Sequence, residues 1–181
     1  GGVASIDLTA AGSGYITAGG IKKFMDPLPG LCAPPACPTT GKYIPVAVAE
    51  PKVYNGIEAD EYVIAVVQYR TRFSSSLPPT LVRGYAQIET GANASISQHY
   101  PLANANINPN LPDTPVLING QQAYAVTAPQ WLGPTIVASK DKPVRIVFHN
   151  LLPTGAAGDL FLPVDATMMG SGMGPNGDMA P

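Results

Sequence analysis

The chain has 181 residues, of which only 12% are charged, and its 10 Lys and Arg against 12 Asp and Glu give a formal net charge of −2. This charge balance gives no electrostatic basis for binding nucleic acid or an anionic membrane surface, and no apolar run approaches the about 20 residues needed to cross a bilayer. The 20 prolines and 19 glycines break helices and separate short strands, so the composition predicts one all-β domain with long loops.

Residues 1–24 predict a Gly-rich β-repeat or a linker. They alternate between apolar and polar types in VASIDL and turn at GSGY, which resembles one unit of the Gly-Ser-Gly-Tyr β-repeats of some bacterial extracellular proteins. A simple strand and linker fits the composition equally well. Residues 25–56 follow as a Pro-rich crossing segment. Because proline lacks an N–H donor, we expect this segment to lie over the surface of a sheet and not inside one.

The two cysteines, Cys32 and Cys37, lie in LCAPPACP. They are either free loop thiols or a disulfide formed in an oxidising compartment, since a single C-x4-C without another Cys or His nearby cannot complete a tetrahedral zinc site. Pro34 and Pro35 stiffen the loop between them and can hold the sulfur atoms close enough to bond. We therefore predict a Cys32–Cys37 disulfide and an extracellular or periplasmic location.

A clear strand pattern begins at Glu61, in EYVIAVVQYRTRF. Successive side chains of a strand point to opposite faces, and one face here is apolar: Val63, Ala65, Val67, Tyr69 and Phe73. The other face changes along the strand, from Tyr62, Ile64 and Val66 to Gln68, Arg70 and Arg72. We therefore expect one end of the strand to be covered on both sides and the other end to meet water on one side.

The next segments are a turn, a strand and a long connection. LPPT at 77–80 predicts the turn, and TLVRGYAQI at 80–88 predicts the strand. Residues 89–130 are rich in Asn, Pro and Ala, and we interpret them as a surface loop with one strand pair, around Val116 to Leu117 and Ala123 to Val126. Asn93-Ala94-Ser95 within this loop matches a glycosylation sequon.

Residues 131–165 predict two further strands. A tight turn at Gly133-Pro134 leads into a short strand from Thr135 to Ala138, and a polar turn at 139–142 leads into a second strand from Val144 to His149. In the second strand one face is apolar and the other carries Arg145 and His149; the apolar residues are Val144, Ile146 and Phe148. We expect Phe148, like Val67, to point into the core.

Two motif regions resemble the multicopper oxidases. The pattern GPTI followed by V-x-V/I-x-F-x-N-x-LP is similar to the opening hairpin of their first cupredoxin domain. GDLFLPVDAT and VVQYRTRFSSSLPPTLVRGY are similar to the branch that includes spore-coat laccases and bilirubin oxidases. The resemblance covers about residues 43–88 and 131–170. In most members of that branch RGY leads almost directly to GPTI, so residues 89–130 correspond to an insertion.

The resemblance implies an incomplete cupredoxin-like antiparallel Greek-key β-sandwich. Residues 57–170 would be the N-terminal part of the first domain and residues 171–181 a flexible Gly/Met tail. The whole enzyme would oxidise phenolic, tetrapyrrole or metal-ion donors one electron at a time and reduce O2 to water with copper. The copper ligands are expected on the continuation of the polypeptide, which would be the partner of this chain. We expect no catalytic, cofactor-binding or metal-ligating residue here, so that the chain alone is inactive.

The few candidate ligands have simpler interpretations. We interpret His99 as a solvated residue, because it lies in a polar loop rich in Asn and Ser. We interpret His149 as a surface residue at the end of a strand, because no second His or Cys lies near it in sequence. Four methionines lie within residues 155–181: Met168, Met169, Met173 and Met179. They are either soft ligands suited to Cu(I) or parts of a flexible Gly/Met linker that binds no metal. The competing hypothesis for the whole chain is a non-enzymatic extracellular structural or adhesive β-module.

Overall fold

The computed structural model describes residues 24–38 and 41–158. These residues form strands, loops and two short 3₁₀ turns, at Ala94–Ile96 and Gly155–Gly158, so the predicted all-β class is confirmed. In the described part the strands are β1 (Gly30–Cys32), β2 (Tyr43–Pro45), β3 (Glu50–Tyr54), β4 (Ile57–Thr71), β5 (Thr80–Gln87), β6 (Tyr100–Pro101), β7 (Ala103–Asn104), β8 (Thr114–Pro115), β9 (Leu117–Ile118), β10 (Gln121–Gln122), β11 (Tyr124–Ala125) and β12 (Val144–Asn150). No helix in these ranges has the length and hydropathy to cross a bilayer.

The long strand β4 organises the main sheet. β3 and β5 pair with it in antiparallel fashion, with Tyr54 opposite Ile57 and Thr80 opposite Thr71. β12 pairs with β4 in parallel. The sheet is therefore mixed, and the expected antiparallel arrangement is wrong for β12. Residues 135–138 do not form the expected hairpin with β12. Thr135 instead forms a parallel bridge with Val46 and exchanges backbone hydrogen bonds with Pro45 and Ala47.

The centre of β4 is buried on both faces, as predicted. Ala65 and Val67 lie on one face and Tyr62 and Ile64 on the other, and all four are nearly inaccessible to water. The polar end differs from expectation at Gln68, which is buried and donates from Nε2 to the carbonyl oxygen of Ala105 at 2.8 Å. Gln68 was expected to meet water because local alternation cannot reveal that a distant segment packs along that edge.

Residues 89–130 form half of the main core, so their interpretation as a surface loop is wrong. The cluster that packs on one face of β4 is half supplied by this segment: Ala65, Val67, Ala86, Ile88, Leu102, Val116, Ala123 and Ala125. The predicted strand pair is partly confirmed, since Ala123 donates its N–H to the Val116 carbonyl at 2.9 Å. β11, however, pairs with β6.

The opposite face of β4 is covered by two other extended segments. Ala47, Tyr62 and Ile64 form a second cluster, against which Ile136 packs. The Thr135 N–H donates to the Pro45 carbonyl, and the Ala47 N–H donates back to Thr135, at 2.7 and 2.8 Å. The crossing segment 25–56 thus contributes to this layer. Its part β3 also joins the main sheet, contrary to the expectation that the segment lies only over the surface.

Strand β12 lies at the edge of the sheet with most of its side chains exposed. Val67 points inward as predicted, but Phe148 is 65% exposed, so its predicted burial is wrong. Phe148 does share a face with Ile64, its register partner in β4. Phe148, Ile64 and Ile136 instead line a small open pocket, and the ring of Tyr85 meets the Phe148 ring edge to face, with 6.2 Å between centroids. Phe148 therefore stays largely in contact with water.

Several features predicted from the sequence lie outside the described residues. They are the Gly-rich unit within residues 1–24, of which only Phe24 is described, the four methionines at 168, 169, 173 and 179, and the segment 171–181.

The role of residues 89–130 in the core can be tested with two identical substitutions. Leu102 is completely buried and Leu117 is 56% exposed. Leu102→Ala should lower the free energy of unfolding by about 2–5 kcal/mol, because it leaves a cavity. Leu117→Ala should lower it by less than about 0.5 kcal/mol. Urea denaturation measures both, and equal stabilities would show that this segment does not belong to the core.

Candidate functional site

The two sequence motifs meet in space. Tyr85, at the end of the RGY motif, and Gln130, before the GPTI motif, exchange two backbone hydrogen bonds of 2.7 and 2.9 Å. The ladder continues into the intervening segment, where the Val126 N–H donates to the Gln87 carbonyl at 2.9 Å. Residues 86–129 therefore begin and end at the same place in the fold. We call the contact of residues 84–85 with residues 130–133 the motif junction.

The glycines of both motifs are required by this close approach. A Cβ atom on Gly84 would lie 2.5 Å from the Gln130 carbonyl oxygen and 2.8 Å from the Trp131 Cα, so any larger residue would push the two segments apart. Gly133 has a φ of +78°, a backbone conformation that L side chains rarely adopt. A Cβ there would also lie 3.0 Å from the Tyr85 Cβ.

A cleft with a volume of about 670 Å³ opens beside the motif junction. We call it the aromatic cleft; its walls include Leu28, Lys42, Tyr43, Tyr69, Arg72, Phe73, Trp131 and Leu132. Strand β4 supplies Tyr69 and the motif junction supplies Trp131. The rings of Phe73 and Trp131 meet edge to face, with centroids 6.2 Å apart and planes at 84°. Trp131 is nevertheless 54% exposed, which is unusual for so large an apolar side chain.

Of the charged residues that line the aromatic cleft, Asp26 and Lys42 pair with each other, and Arg72 has no partner in the described part of the chain. Asp26 accepts hydrogen bonds from the Ser75 N–H and the Ser74 hydroxyl, both 2.9 Å from Oδ2, and these bonds lower its pKa. Lys42 pairs with Asp26 at 3.8 Å and donates to the Phe73 carbonyl at 2.7 Å. Arg72 makes no hydrogen bond or ion pair with any described residue. Among the described residues, therefore, no group neutralises the positive charge of Arg72 in the cleft.

The predicted exposed histidines lie where the sequence indicated. His99 contacts Glu89 through Nδ1 at 3.0 Å, and its ring stacks on Tyr124 at 3.6 Å. His149 is exposed on β12. Over residues 24–38 and 41–158, no three His, Cys, Asp or Glu side chains are grouped to hold a metal ion. The described side chains thus do not fit a copper centre.

The sequon residue Asn93 is fully buried. Its amide donates to Glu50 Oε1 and to the Ile88 carbonyl, both at 3.1 Å, and its Oδ1 accepts the Thr90 N–H at 2.8 Å. In the folded protein this side chain is a structural amide and is closed to modification.

Cys32 and Cys37 form the predicted disulfide. Their Cα atoms are 5.2 Å apart, within the range that the bond requires. A disulfide of this kind is typical of a non-reducing compartment. Both cysteines also contact the rest of the fold. Cys37 is buried, and the Cys32 carbonyl accepts a hydrogen bond of 2.8 Å from the Val46 N–H.

No family model, curated protein or solved structure matches this chain. The site must therefore be interpreted from its own geometry. The sequence does not mark Trp131, Phe73 and Arg72 as site residues. Arg72 and Phe73 follow the end of β4, whereas Trp131 lies in a distant part of the chain that reaches the cleft only in three dimensions. The available signal was that Trp131 is the single tryptophan of the chain and adjoins a motif.

The motif junction can be tested by adding one methyl group. Gly84→Ala should lower the free energy of unfolding by about 1–3 kcal/mol, the usual cost of overpacking, because its Cβ overlaps backbone atoms of residues 130 and 131. Gly91→Ala is the matched control, since a Cβ there meets nothing within 4 Å. Chemical denaturation followed by Trp131 fluorescence measures both. Equal stability of the two variants would contradict the close approach.

Tyr69 should make the fold sensitive to alkali. Burial raises its pKa to about 12, whereas in the unfolded chain it ionises near 10.0. Between these values the unfolded state releases a proton that the folded state retains, so stability that is fully present below pH 10 is lost as the pH rises toward 12. Tyr69→Phe should show a smaller loss of stability than the wild type between pH 10 and about pH 12 in urea denaturation. A loss equal to that of the wild type would contradict this origin.

Proposed function

We propose that this chain is the N-terminal scaffold segment of a multicopper oxidase, within its first cupredoxin domain. The observation that carries the proposal is the motif junction. In the oxidases that the motifs resemble, RGY leads almost directly to GPTI. Here Tyr85 and Gln130 are hydrogen-bonded neighbours although residues 86–129 separate them in sequence. The insertion can therefore be accommodated without moving either motif, as the resemblance requires.

The edge strand β12 supports the same proposal. Val144, Ile146 and Phe148 expose apolar surface, and the outer edge of β12 pairs with no strand in the described part of the chain. Exposed apolar faces and open edges favour further association. We infer that the continuation of the polypeptide packs here and completes the Greek-key sandwich.

The complete enzyme would couple one-electron oxidation of phenolic, tetrapyrrole or metal-ion donors to the four-electron reduction of O2 to water. Copper would supply the redox chemistry, held by imidazole and thiolate ligands on the continuation. The residues of this chain would position strands and exclude water from one side of the domain. The Cys32–Cys37 disulfide supports a secreted enzyme.

Copper loading of two polypeptides tests this proposal. The parent polypeptide that extends beyond Pro181, purified with Cu(II), should show intense thiolate-to-copper absorption and should consume O2 with a phenolic donor. Residues 1–181 treated identically should show neither, because the described part offers no ligand group. The continuation should also contain a His-x-His-Gly motif and, later, a His-Cys-His cluster.

Two outcomes would contradict the proposal. Thiolate-to-copper absorption in residues 1–181 alone would mean that the ligands are on this chain. A parent polypeptide that lacks the histidine motifs and binds no copper would favour the extracellular structural module instead.

A further inference from the structure

We propose that the aromatic cleft binds a small planar aromatic carboxylate. Its ring would pack against Trp131 and Phe73, and its carboxylate would pair with Arg72. This binding is a separate property of the chain, since the cleft and its charge are present whether or not the chain belongs to an oxidase.

The size and lining of the cleft suit a small organic molecule. Its volume of about 670 Å³ lies within the roughly 300–1,000 Å³ typical of small-molecule sites. Most of the lining is apolar or aromatic, and Leu28 and Leu132 are highly exposed at its rim. A contiguous apolar surface of this kind is costly in water unless something binds to it.

The rings of the cleft are held in place before any ligand arrives. Trp131 directly follows Gln130 in sequence. The backbone N–H and carbonyl of Gln130 both form hydrogen bonds with the backbone of Tyr85. Phe73 follows the end of β4, and its carbonyl accepts a hydrogen bond of 2.7 Å from the Lys42 ammonium. Because these anchors fix the backbone at both rings, and the rings already meet edge to face, little conformational entropy is lost when a ligand packs against their exposed surfaces.

The charge of the cleft selects an anion. Asp26 is occupied by the two serines and Lys42, and Lys42 by Asp26 and a carbonyl. Arg72 is the one charged lining residue whose charge no described group neutralises. A guanidinium presents paired N–H donors in a plane that matches a carboxylate. An aromatic ring is the apolar body that best complements the exposed Trp131 face.

The experiment exploits the single tryptophan of the chain. A ¹H–¹⁵N spectrum of the full chain contains one indole N–H resonance, and it reports directly on the cleft. Titration with naphthalene-2-carboxylate should shift this resonance saturably. The neutral naphthalene-2-carboxamide should bind more weakly, because it cannot form the charged pair with Arg72.

Arg72→Gln should weaken binding of the carboxylate by about fivefold to tenfold and leave binding of the carboxamide unchanged. Lys140→Gln is the matched control, because it removes the same charge from an exposed residue outside the cleft. It should leave both affinities unchanged. Arg72 has no described partner to lose, so its variant should retain the wild-type spectrum in the absence of ligand.

Two results would overturn the proposal. One is an indole resonance that stays fixed up to the solubility limit of the carboxylate, which would mean that the cleft is closed to it or already filled. The other is equal affinity for carboxylate and carboxamide, in the wild type and in Arg72→Gln alike, which would identify a general apolar patch without selection by charge.

Discussion

The fold depends on how closely two backbone segments approach at the motif junction. Gly84 lets the chain at Gln130 and Trp131 lie against β5, and the two hydrogen bonds between Tyr85 and Gln130 then lock the segments together. The segment that supplies half of the main core begins and ends at this contact. The same contact directs the GPTI segment across the opposite face of β4. One missing methyl group thus allows both layers to form around the same strand.

The sequence predicted the strands whose side chains alternate strongly, and predicted less well what covers them. β4, β5 and β12 begin and end within a few residues of their expected bounds. Apolar and polar residues alternate in the sequence of a half-buried strand, and this alternation predicts where the strand lies. Alternation assigns Phe148 to a face but does not say whether another layer lies over that face. Its predicted burial failed for that reason, while the same logic succeeded for Val67 in the centre of the sheet.

The segment 89–130 escaped prediction because its core residues are isolated in sequence. Leu102, Val116 and Ala123 stand among Asn, Pro and Gln residues. Each lies between two strands of only two residues, which are too short to show a period. Their burial arises from contacts across the segment, such as the Leu102 N–H with the Ala123 carbonyl at 2.9 Å. The aromatic cleft was missed on similar grounds, since its walls come from separate parts of the chain and none carries a catalytic motif.

The burial of Asn93 limits where this protein can be produced. Oligosaccharide transfer in a eukaryotic secretory pathway acts on accessible sequons, and Asn93-Ala94-Ser95 is accessible only before the chain folds. A glycan attached at that moment would occupy the position where the amide contacts Glu50 and the Ile88 carbonyl, so a modified chain could not complete its core. In such a host, glycosylation of Asn93 would therefore compete with folding of the chain. Ser95→Ala would remove that competition, because Ser95 is exposed and Asn93 would keep all of its hydrogen bonds.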